Sequence, residues 1–250
     1  MSGPLDGRTA VVTGAAGGLG HGIVGRLAAD GATVICADVD TDGLEALVTS
    51  LTRTGGHAVG VECDQRDLDA VGRLAEAADD LGGADILINN AAVYASRPWT
   101  EITPEEWDRT LEVNLRGYFL CARALHPQLQ ESAAGRIVNV ASLTFFVGFA
   151  ELLDYVASKG GIIGFTRTLA REVGPDGITV NAISPGAFPT AAEAIHPDPA
   201  GYNQWVLDQQ ALKRRGTPED IGNLVGFLAS DAASFITGQT IGIDGGWVTH

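Results

Sequence analysis

The sequence predicts an α/β protein: one doubly wound, parallel, seven-stranded sheet with helices on both faces. Three observations carry this. Short β-branched or aliphatic runs alternate along the chain with segments whose apolar positions fall three and four apart. The run Arg136-Ile-Val-Asn-Val-Ala141 is apolar over successive positions, as a buried strand is. A glycine-rich turn joins the first strand directly to a helix pattern. At 250 residues the chain is long enough to bury most of its apolar surface in one core. It has no internal repeat, low-complexity tract or linker, so 1–250 reads as a single domain.

Arg8-Thr-Ala-Val-Val-Thr13 is the first strand, and Gly14-Ala-Ala-Gly17-Gly18-Leu19-Gly20 follows it. A helix pattern then runs from about Leu19 to Asp30 through Ile23, Val24, Leu27 and Ala28. Strand, glycine turn and helix are what a dinucleotide site needs. The glycines let the backbone turn tightly and approach a pyrophosphate, and the helix start offers free N–H groups with partial positive charge. The spacing is G-x-x-x-G-x-G, not the commoner G-x-G-x-x-G. The second strand, Thr33–Asp38, ends in an acid placed to accept hydrogen bonds from both ribose hydroxyls of an adenosine. A 2′-phosphate there would face like charge, and no Lys or Arg stands at 15–17 or 39–40 to neutralise it. The cofactor expected is therefore NAD rather than NADP.

His57–Glu62 is the third strand, with the carboxylate of Asp64 just beyond it placed to meet the adenine amine. Asp85–Asn89 is the fourth and runs into Asn90-Ala-Ala92, small enough to let an adenine-ribose lie against the backbone. Helices around 41–54 and 67–81 separate these strands. Thr103-Pro104-Glu105-Glu106 opens the next helix with a capping box, and Pro127 marks its end after about Leu125. Asn114 inside it costs propensity, which leaves a functional reason or a solvated side chain. A helix carrying Tyr155 follows the Arg136 strand, and Gly177–Ile183 is the sixth strand. Residues 184–216 make a connection of a length typical of functional lids or disorder, with an amphipathic piece near Tyr202–Leu212. Thr217-Pro-Glu-Asp220 starts a helix to about Ser230, and Gly238–Asp244 is the seventh strand.

Thirty-one acids against 16 bases give a net charge of −15. A polyphosphate surface is repelled, so nucleic acid is not an expected partner. No apolar run reaches the roughly 18 residues of a membrane span, and MSGPLDGR lacks a signal-peptide core. Cys36, Cys63 and Cys121 form no CxxC pair and read as buried hydrophobes of a cytoplasmic protein. The His residues show no ligand spacing, so no catalytic metal is expected.

Tyr155-Val-Ala-Ser-Lys159 places a phenol and an amine on one helix face, a turn apart. A free phenol titrates near about 10 and is a poor acid-base group at neutral pH. A neighbouring ammonium stabilises the phenolate and draws that value down. Ser142, at the end of the Arg136 strand, supplies a hydroxyl that can meet the phenol and a substrate oxygen.

TGAAGGLG at 13–20, Asp38, Asp64, NNAA at 89–92, Asn114, Ser142, YVASK at 155–159, NAISPG at 181–186 and the ending TGQTIGIDGG stand in one order across nearly the whole chain. Together they resemble the short-chain dehydrogenase/reductase family. The resemblance implies a Rossmann-like fold, a small-molecule substrate and a homotetramer packed through the helices at 103–125 and 152–173 and through the C-terminal segment. It implies Tyr155 as proton donor or acceptor and Lys159 as the residue that lowers its pKa and holds the nicotinamide ribose. It makes Ser142 the orienter of the substrate oxygen and Asn114 the end of a water-linked proton relay. The implied cofactor set is Gly14, Gly17, Gly18, Leu19, Gly20, Asp38, Asp64, Gln65, Asn90, Ala92, Tyr155, Lys159, Pro185, Gly186, Phe188 and Thr190. Phe188-Pro189 departs from the smaller aliphatic residues usual there.

Within the family, the chain is similar to NAD-dependent groups of the 1-phenylethanol and pyridoxal 4-dehydrogenase type, which handle an oxygen on a carbon attached to an aromatic ring. Thr144-Phe145-Phe146 and the ending through His250 carry that likeness. Ring-sized residues Phe145, Phe146, Phe149, Leu152, Leu153 and Trp205 suit such a substrate or belong to the core. Thr144, Phe149, Glu151 and Leu152 are the candidate pocket, with Glu151 either a pocket wall or a surface acid. The 3-oxoacyl carrier-protein reductases share the motifs but resemble NADP enzymes with basic docking surfaces, unlike this acidic chain. A sugar or polyol dehydrogenase would want a more polar stretch than 143–153, and a non-catalytic NAD-binding sensor would not need the full Asn114, Ser142, Tyr155 and Lys159 set.

Overall fold

A computed structural model describes residues 3–190, 193 and 197–249. The strands are β1 (Thr9–Thr13), β2 (Thr33–Asp38), β3 (His57–Glu62), β4 (Ile86–Asn89), β5 (Arg136–Val140), β6 (Thr179–Pro185) and β7 (Thr240–Ile243). They form one seven-stranded sheet in the order β3-β2-β1-β4-β5-β6-β7, with every pairing parallel. The helices are α1 (Gly18–Ala29), α2 (Thr41–Arg53), α3 (Leu68–Asp79), α4 (Pro104–Leu111), α5 (Gly117–Glu131), the single turn α6 (Thr144–Val147), α7 (Leu153–Val173), α8 (Pro199–Gln209) and α9 (Pro218–Ala229). All seven expected strands form, with ends displaced by a residue or two.

Alternation along the strands builds a core on each face. Ala10, Val12, Val34, Cys36, Ile86 and Ile88 point one way, against Ile23 and Leu27 of α1 and Ile221 and Val225 of α9. Val11, Ile35, Leu87 and Ile137 point the other way, against Leu74 of α3 and Leu120 and Leu125 of α5. Strands covered on both sides are apolar at successive positions, and all of β1 is buried. The chain enters at β1 in mid-sheet, winds out to β3, then returns to β4 on the other side of β1. The helices that follow β1 and β4 thus cover opposite faces, and at such a point doubly wound sheets open a crevice beyond the strands' carboxyl ends.

Helix α1, which begins at that crevice, is fixed by backbone-to-backbone packing on α9. A Cβ on Gly22 would come within 2.1 Å of the Pro218 carbonyl oxygen, and one on Gly222 within 2.3 Å of the Gly22 oxygen. No side chain larger than hydrogen fits either place.

Two expectations are corrected. The helix expected over 103–125 is α4, a π turn at Glu112–Arg116 and then α5. The wider turn holds Asn114, the residue whose low propensity stood out in the sequence. Pro127 does not end the helix but lies inside α5, which runs to Glu131. Pro127 and Arg123 are both exposed, so water can take the Arg123 carbonyl that proline leaves without a donor. The capping box at Thr103 forms as expected, with Glu106 as its partner. In the 184–216 connection the amphipathic piece is α8, capped by Asp198 through Gly201 N–H. The positions 191, 192 and 194–196 of that expected lid, and His250, lie outside the described residues. Among the described residues no helix is long and apolar enough to cross a membrane, and no His, Cys, Asp and Glu cluster could hold a metal ion.

Candidate active site

The glycine turn leaves β1 with Gly14 at φ +64°, and a Cβ there would stand 2.6 Å from Cα of Ala91. Both the left-handed conformation and the contact with the β4 loop demand glycine. Asn90 braces the same turn from below. Its amide donates to the carbonyls of Thr13 at 3.0 Å and Gly14 at 2.8 Å. The two amide hydrogens are thereby used, so Asn90 shapes the turn and its side chain has no donor left for a ligand.

Gly17 is the N-cap of α1, in extended conformation, with no side-chain cap and no acid in the first turn. The leading N–H groups of α1 are therefore without a capping side chain, and a Cβ at Gly17 would meet nothing closer than the Gly14 oxygen at 3.9 Å. Beside it, a Cβ on Gly18 would stand 3.1 Å from the Thr190 methyl, so Thr190 lies at the same helix end. Leu19 is half-buried and Gly20 buried in the helix itself. Uncapped N–H groups, open backbone and a helix dipole fit a pyrophosphate.

Asp38 closes the cradle at the end of β2. Its Oδ2 accepts from Ala16 N–H at 3.0 Å, and its Oδ1 from the N–H groups of Val39 at 2.8 Å and Asp40 at 3.1 Å. A carboxylate has about four acceptor positions. Three are used, all from backbone, which leaves one on Oδ2 for a ribose hydroxyl rather than the two the sequence reading assumed.

The remaining candidates divide. Asp64 is half-exposed and engaged by Arg66, with Arg66 Nη2 to Asp64 Oδ2 at 2.6 Å. Those bonds hold its carboxyl below the usual carboxylate range. Gln65 is corrected: its side chain turns inward, and Nε2 donates to the carbonyls of Val113 at 2.7 Å and Ala91 at 3.3 Å. Phe188 is corrected too, because its ring is buried in the core beside Gly216. Pro185 ends β6 and accepts from Leu143 N–H at 3.0 Å, while Gly186 N–H donates to Ile243 at 3.0 Å. Ala92 is exposed at the crevice edge.

Strand β5 and helix α7 bring the chemistry together. Ser142 follows β5 and stands near enough to the Tyr155 phenol to oppose the rise of its pKa. Thr144 secures Ser142, with its N–H at 3.2 Å and its hydroxyl at 2.9 Å from the Ser142 oxygen. Lys159 is 1% exposed and its Nζ donates to the Val140 carbonyl at 2.7 Å. Asn114 is fully buried, which removes the solvated alternative. Its Oδ1 accepts from Val93 N–H at 2.8 Å, and its Nδ2 donates to the Val93 carbonyl at 2.9 Å and Ser158 Oγ at 3.1 Å.

The electrostatics differ from expectation. Burial pushes Tyr155 up to about 12, with Ser142 opposing it and Tyr94 adding to it. Burial pushes the Lys159 amine down to about 7. The Tyr155–Lys159 spacing predicts that the ammonium lowers the phenol. In the protein itself desolvation outweighs that, because Nζ is bonded to a carbonyl and lies 5.5 Å from the Tyr155 ring centroid.

The C-terminal segment, α8 and the loop after α6 share an aromatic cluster. Phe149, Trp205 and Trp247 pack edge to face, with centroids 6.0, 6.0 and 5.2 Å apart, and Tyr202 stacks on Trp205 at 5.8 Å. Tyr94 tilts against Tyr155 at 5.4 Å. Trp247, Tyr202 and Tyr94 were missed in the sequence. Tyr94 could have been suspected from its place just past the β4 end, whereas nothing local marks Trp247. Glu151 has φ +64°, its carbonyl accepts from Arg97 N–H at 3.0 Å, and its carboxylate accepts from Ser96 at 3.0 Å. It therefore ties the β4 loop to the start of α7, where Leu152 is half-buried at the N-cap. Phe145 lies on Gly160 of α7, and Phe146 packs against the Tyr118 cluster.

Known proteins place this arrangement. The family model described as Enoyl-(Acyl carrier protein) reductase matches residues 14–248. The (2S)-[(R)-hydroxy(phenyl)methyl]succinyl-CoA dehydrogenase subunit BbsD of Thauera aromatica is 37% identical over 243 residues, 97% of each chain. A Sinorhizobium meliloti 1021 structure described as a short-chain alcohol dehydrogenase is 40% identical, covers 97% of each chain and superposes with a TM-score of 0.92. A Beutenbergia cavernae structure described as an NAD(P)-dependent gluconate 5-dehydrogenase, with NADP at low occupancy, is 37% identical over 97% of each chain, with a TM-score of 0.91. With that coverage and identity, the chain belongs to the short-chain dehydrogenase/reductase family.

Proposed function

We propose that this oxidoreductase works as one domain and interconverts a secondary or benzylic-type alcohol and its carbonyl with NAD. The observation that carries the reading is the meeting of Ser142, Tyr155 and Lys159 at the carboxyl end of the sheet, beside an uncapped helix start and Asp38.

Gly14, Gly17, Gly18, Leu19 and Gly20 would hold the pyrophosphate, Asp38 the adenosine ribose, Lys159 the nicotinamide ribose, and Pro185 to Thr190 the nicotinamide end. NAD bound there supplies the hydride acceptor. The chain's own residues handle the substrate oxygen and its proton. The Ser142 hydroxyl, held by Thr144, fixes the oxygen. Tyr155 as phenolate takes the alcohol proton, or as phenol returns it to the carbonyl. The phenol must be drawn down from about 12, and each unit corresponds to about 1.4 kcal/mol. Ser142 already opposes that rise, so the further stabilisation would come from Lys159 as ammonium. Asn114, locked in the π turn, would anchor the water-linked relay that carries the proton outward from the Lys159 side.

The wall of Phe149, Trp205 and Trp247 supports a flat, apolar substrate body, since rings favour edge-to-face partners. The Thauera relative's named substrate carries a hydroxy(phenyl)methyl group, an alcohol beside an aromatic ring. Assembly as a homotetramer is part of the proposal. An exposed apolar groove of Leu111, Leu115, Phe119, Gly161 and Phe165 lies on α4, the π turn, α5 and α7, the helices such packing would use. Three buried, unpaired cysteines suit a cytoplasmic setting.

Steady-state assays of 1-phenylethanol-type alcohols, pyridoxal and its alcohol, cyclic alcohols and polyols, each with NAD and with NADP, test the reading. The aryl series with NAD should give the highest kcat/KM. A polyol exceeding every aryl substrate would overturn the substrate class.

A further inference from the structure

Tyr118 is fully buried on α5, packed with Ala141, Ile162, Ile163 and Ala182 beneath the active site. Lys159 Nζ lies over its ring, 5.6 Å from the centroid, and over the Tyr155 ring at 5.5 Å. The Val140 carbonyl accepts from Lys159 Nζ at 2.7 Å and from the Tyr118 hydroxyl at 3.3 Å. A lysine head that is 1% exposed is thus solvated by one carbonyl and two ring faces. A cation within about 6 Å of a ring centroid is attracted by the ring quadrupole, most strongly where water is excluded.

We infer that Tyr118 is a positioning residue for the reaction: the face of its ring keeps the Lys159 head group charged and aimed at Tyr155. The inference rests on the proposed roles of Tyr155 and Lys159. Tyr118 acts through its ring and not as an anion, because burial holds its phenol well above the ordinary value. The groups facing the amine are few. They are Tyr118 from α5, Tyr155 on α7 and the Val140 carbonyl of β5, and burial alone accounts for the shift of Lys159. Without the Tyr118 ring the charged amine loses one of its three supports, so less of it is charged at a given pH and the Tyr155 phenolate is less stabilised.

The test is the pH profile of kcat/KM for alcohol oxidation in the full-length enzyme with NAD. Tyr118→Phe keeps the ring, and its acid limb should match wild type. Tyr118→Leu removes the ring, and its acid limb should move up by about one pH unit. A trifluorinated phenylalanine at 118 keeps the shape without a cavity and empties the ring face of negative charge, so its limb should follow that of Tyr118→Leu. A fluorinated variant with the wild-type limb overturns the inference whether or not Tyr118→Leu folds. Equal shifts in Tyr118→Phe and the fluorinated variant would also overturn it, assigning the effect to the hydroxyl. Lys159→Met is the separate control: full activity there sinks the proposed site roles, whereas a dead Lys159→Met with an unmoved fluorinated variant sinks only the role of Tyr118.

Discussion

The Asp38 carboxylate accepts a hydrogen bond from the Ala16 backbone at 3.0 Å, so one side chain both shapes the glycine turn and limits what can lie beside it. A ribose hydroxyl bonded to its free position gains a charge-assisted hydrogen bond, about 1.5–3 kcal/mol. A 2′-phosphate at about 4 Å would cost about 4 kcal/mol at an effective dielectric of about 20. Wild type should therefore prefer NAD over NADP by at least roughly a hundredfold in kcat/KM. Asp38→Ser should narrow that ratio from both sides. Equal use of the two cofactors by wild type, or an unchanged ratio in the variant, would remove Asp38 as the selector.

Gly14→Ala tests the turn. The added Cβ meets Ala91 at 2.6 Å and must adopt φ +64°, a conformation costing an L-residue roughly 1–2 kcal/mol before any clash. Thermal unfolding should shift down by several degrees and NAD affinity should fall at least tenfold. Unchanged affinity, read by fluorescence titration, would show that the turn does not bear on the cofactor.

Trp247→Ala should raise KM for an aryl alcohol by up to about tenfold with a smaller effect on kcat, because it removes one ring of the wall, and a ring–ring contact to the substrate is worth about 0.5–1.5 kcal/mol. A polyol tested in parallel should be nearly insensitive. Equal losses for both substrates would make the wall a folding element only.

Stability should carry the mark of Lys159. Its amine is depressed to about 7 in the folded protein, against about 10.4 unfolded. Between those values the unfolded chain binds the extra proton, so this residue's contribution to stability increases as pH rises from about 7 to about 10. Tyr155, raised to about 12 by burial, acts in the opposite sense only above about 10. Chemical denaturation without added cofactor should show the stability difference between wild type and Lys159→Met growing in favour of wild type over that window. A flat difference would mean that Lys159 is charged in the folded state throughout.

The sheet and its winding were legible because strands covered on both faces and helices with one buried stripe leave different periods. The turn Gly14–Gly20, Asp38 and the Tyr155–Lys159 pair were legible because local geometry fixes them within one element or one junction. What escaped depended on distance. Trp247 meets Phe149 and Trp205 only after β7 returns the C-terminal segment to α8. Gln65 and Asn90 carry polar groups that look available until the Val113, Ala91, Thr13 and Gly14 carbonyls claim them. Pro127 read as a stop because the sequence does not say which face of α5 is wet. The phenol's pKa went astray for the same reason: spacing shows a neighbour, while burial is a property of the whole fold.

Tyr155→Phe is the most direct measurement, since it deletes the phenolic oxygen and keeps the ring that packs on Tyr94. Turnover of the best aryl alcohol with NAD should fall at least a thousandfold, while the NAD dissociation constant changes less than about threefold. A variant that keeps more than a few per cent of wild-type kcat would contradict Tyr155 as the acid-base group and, with it, the proposed reaction.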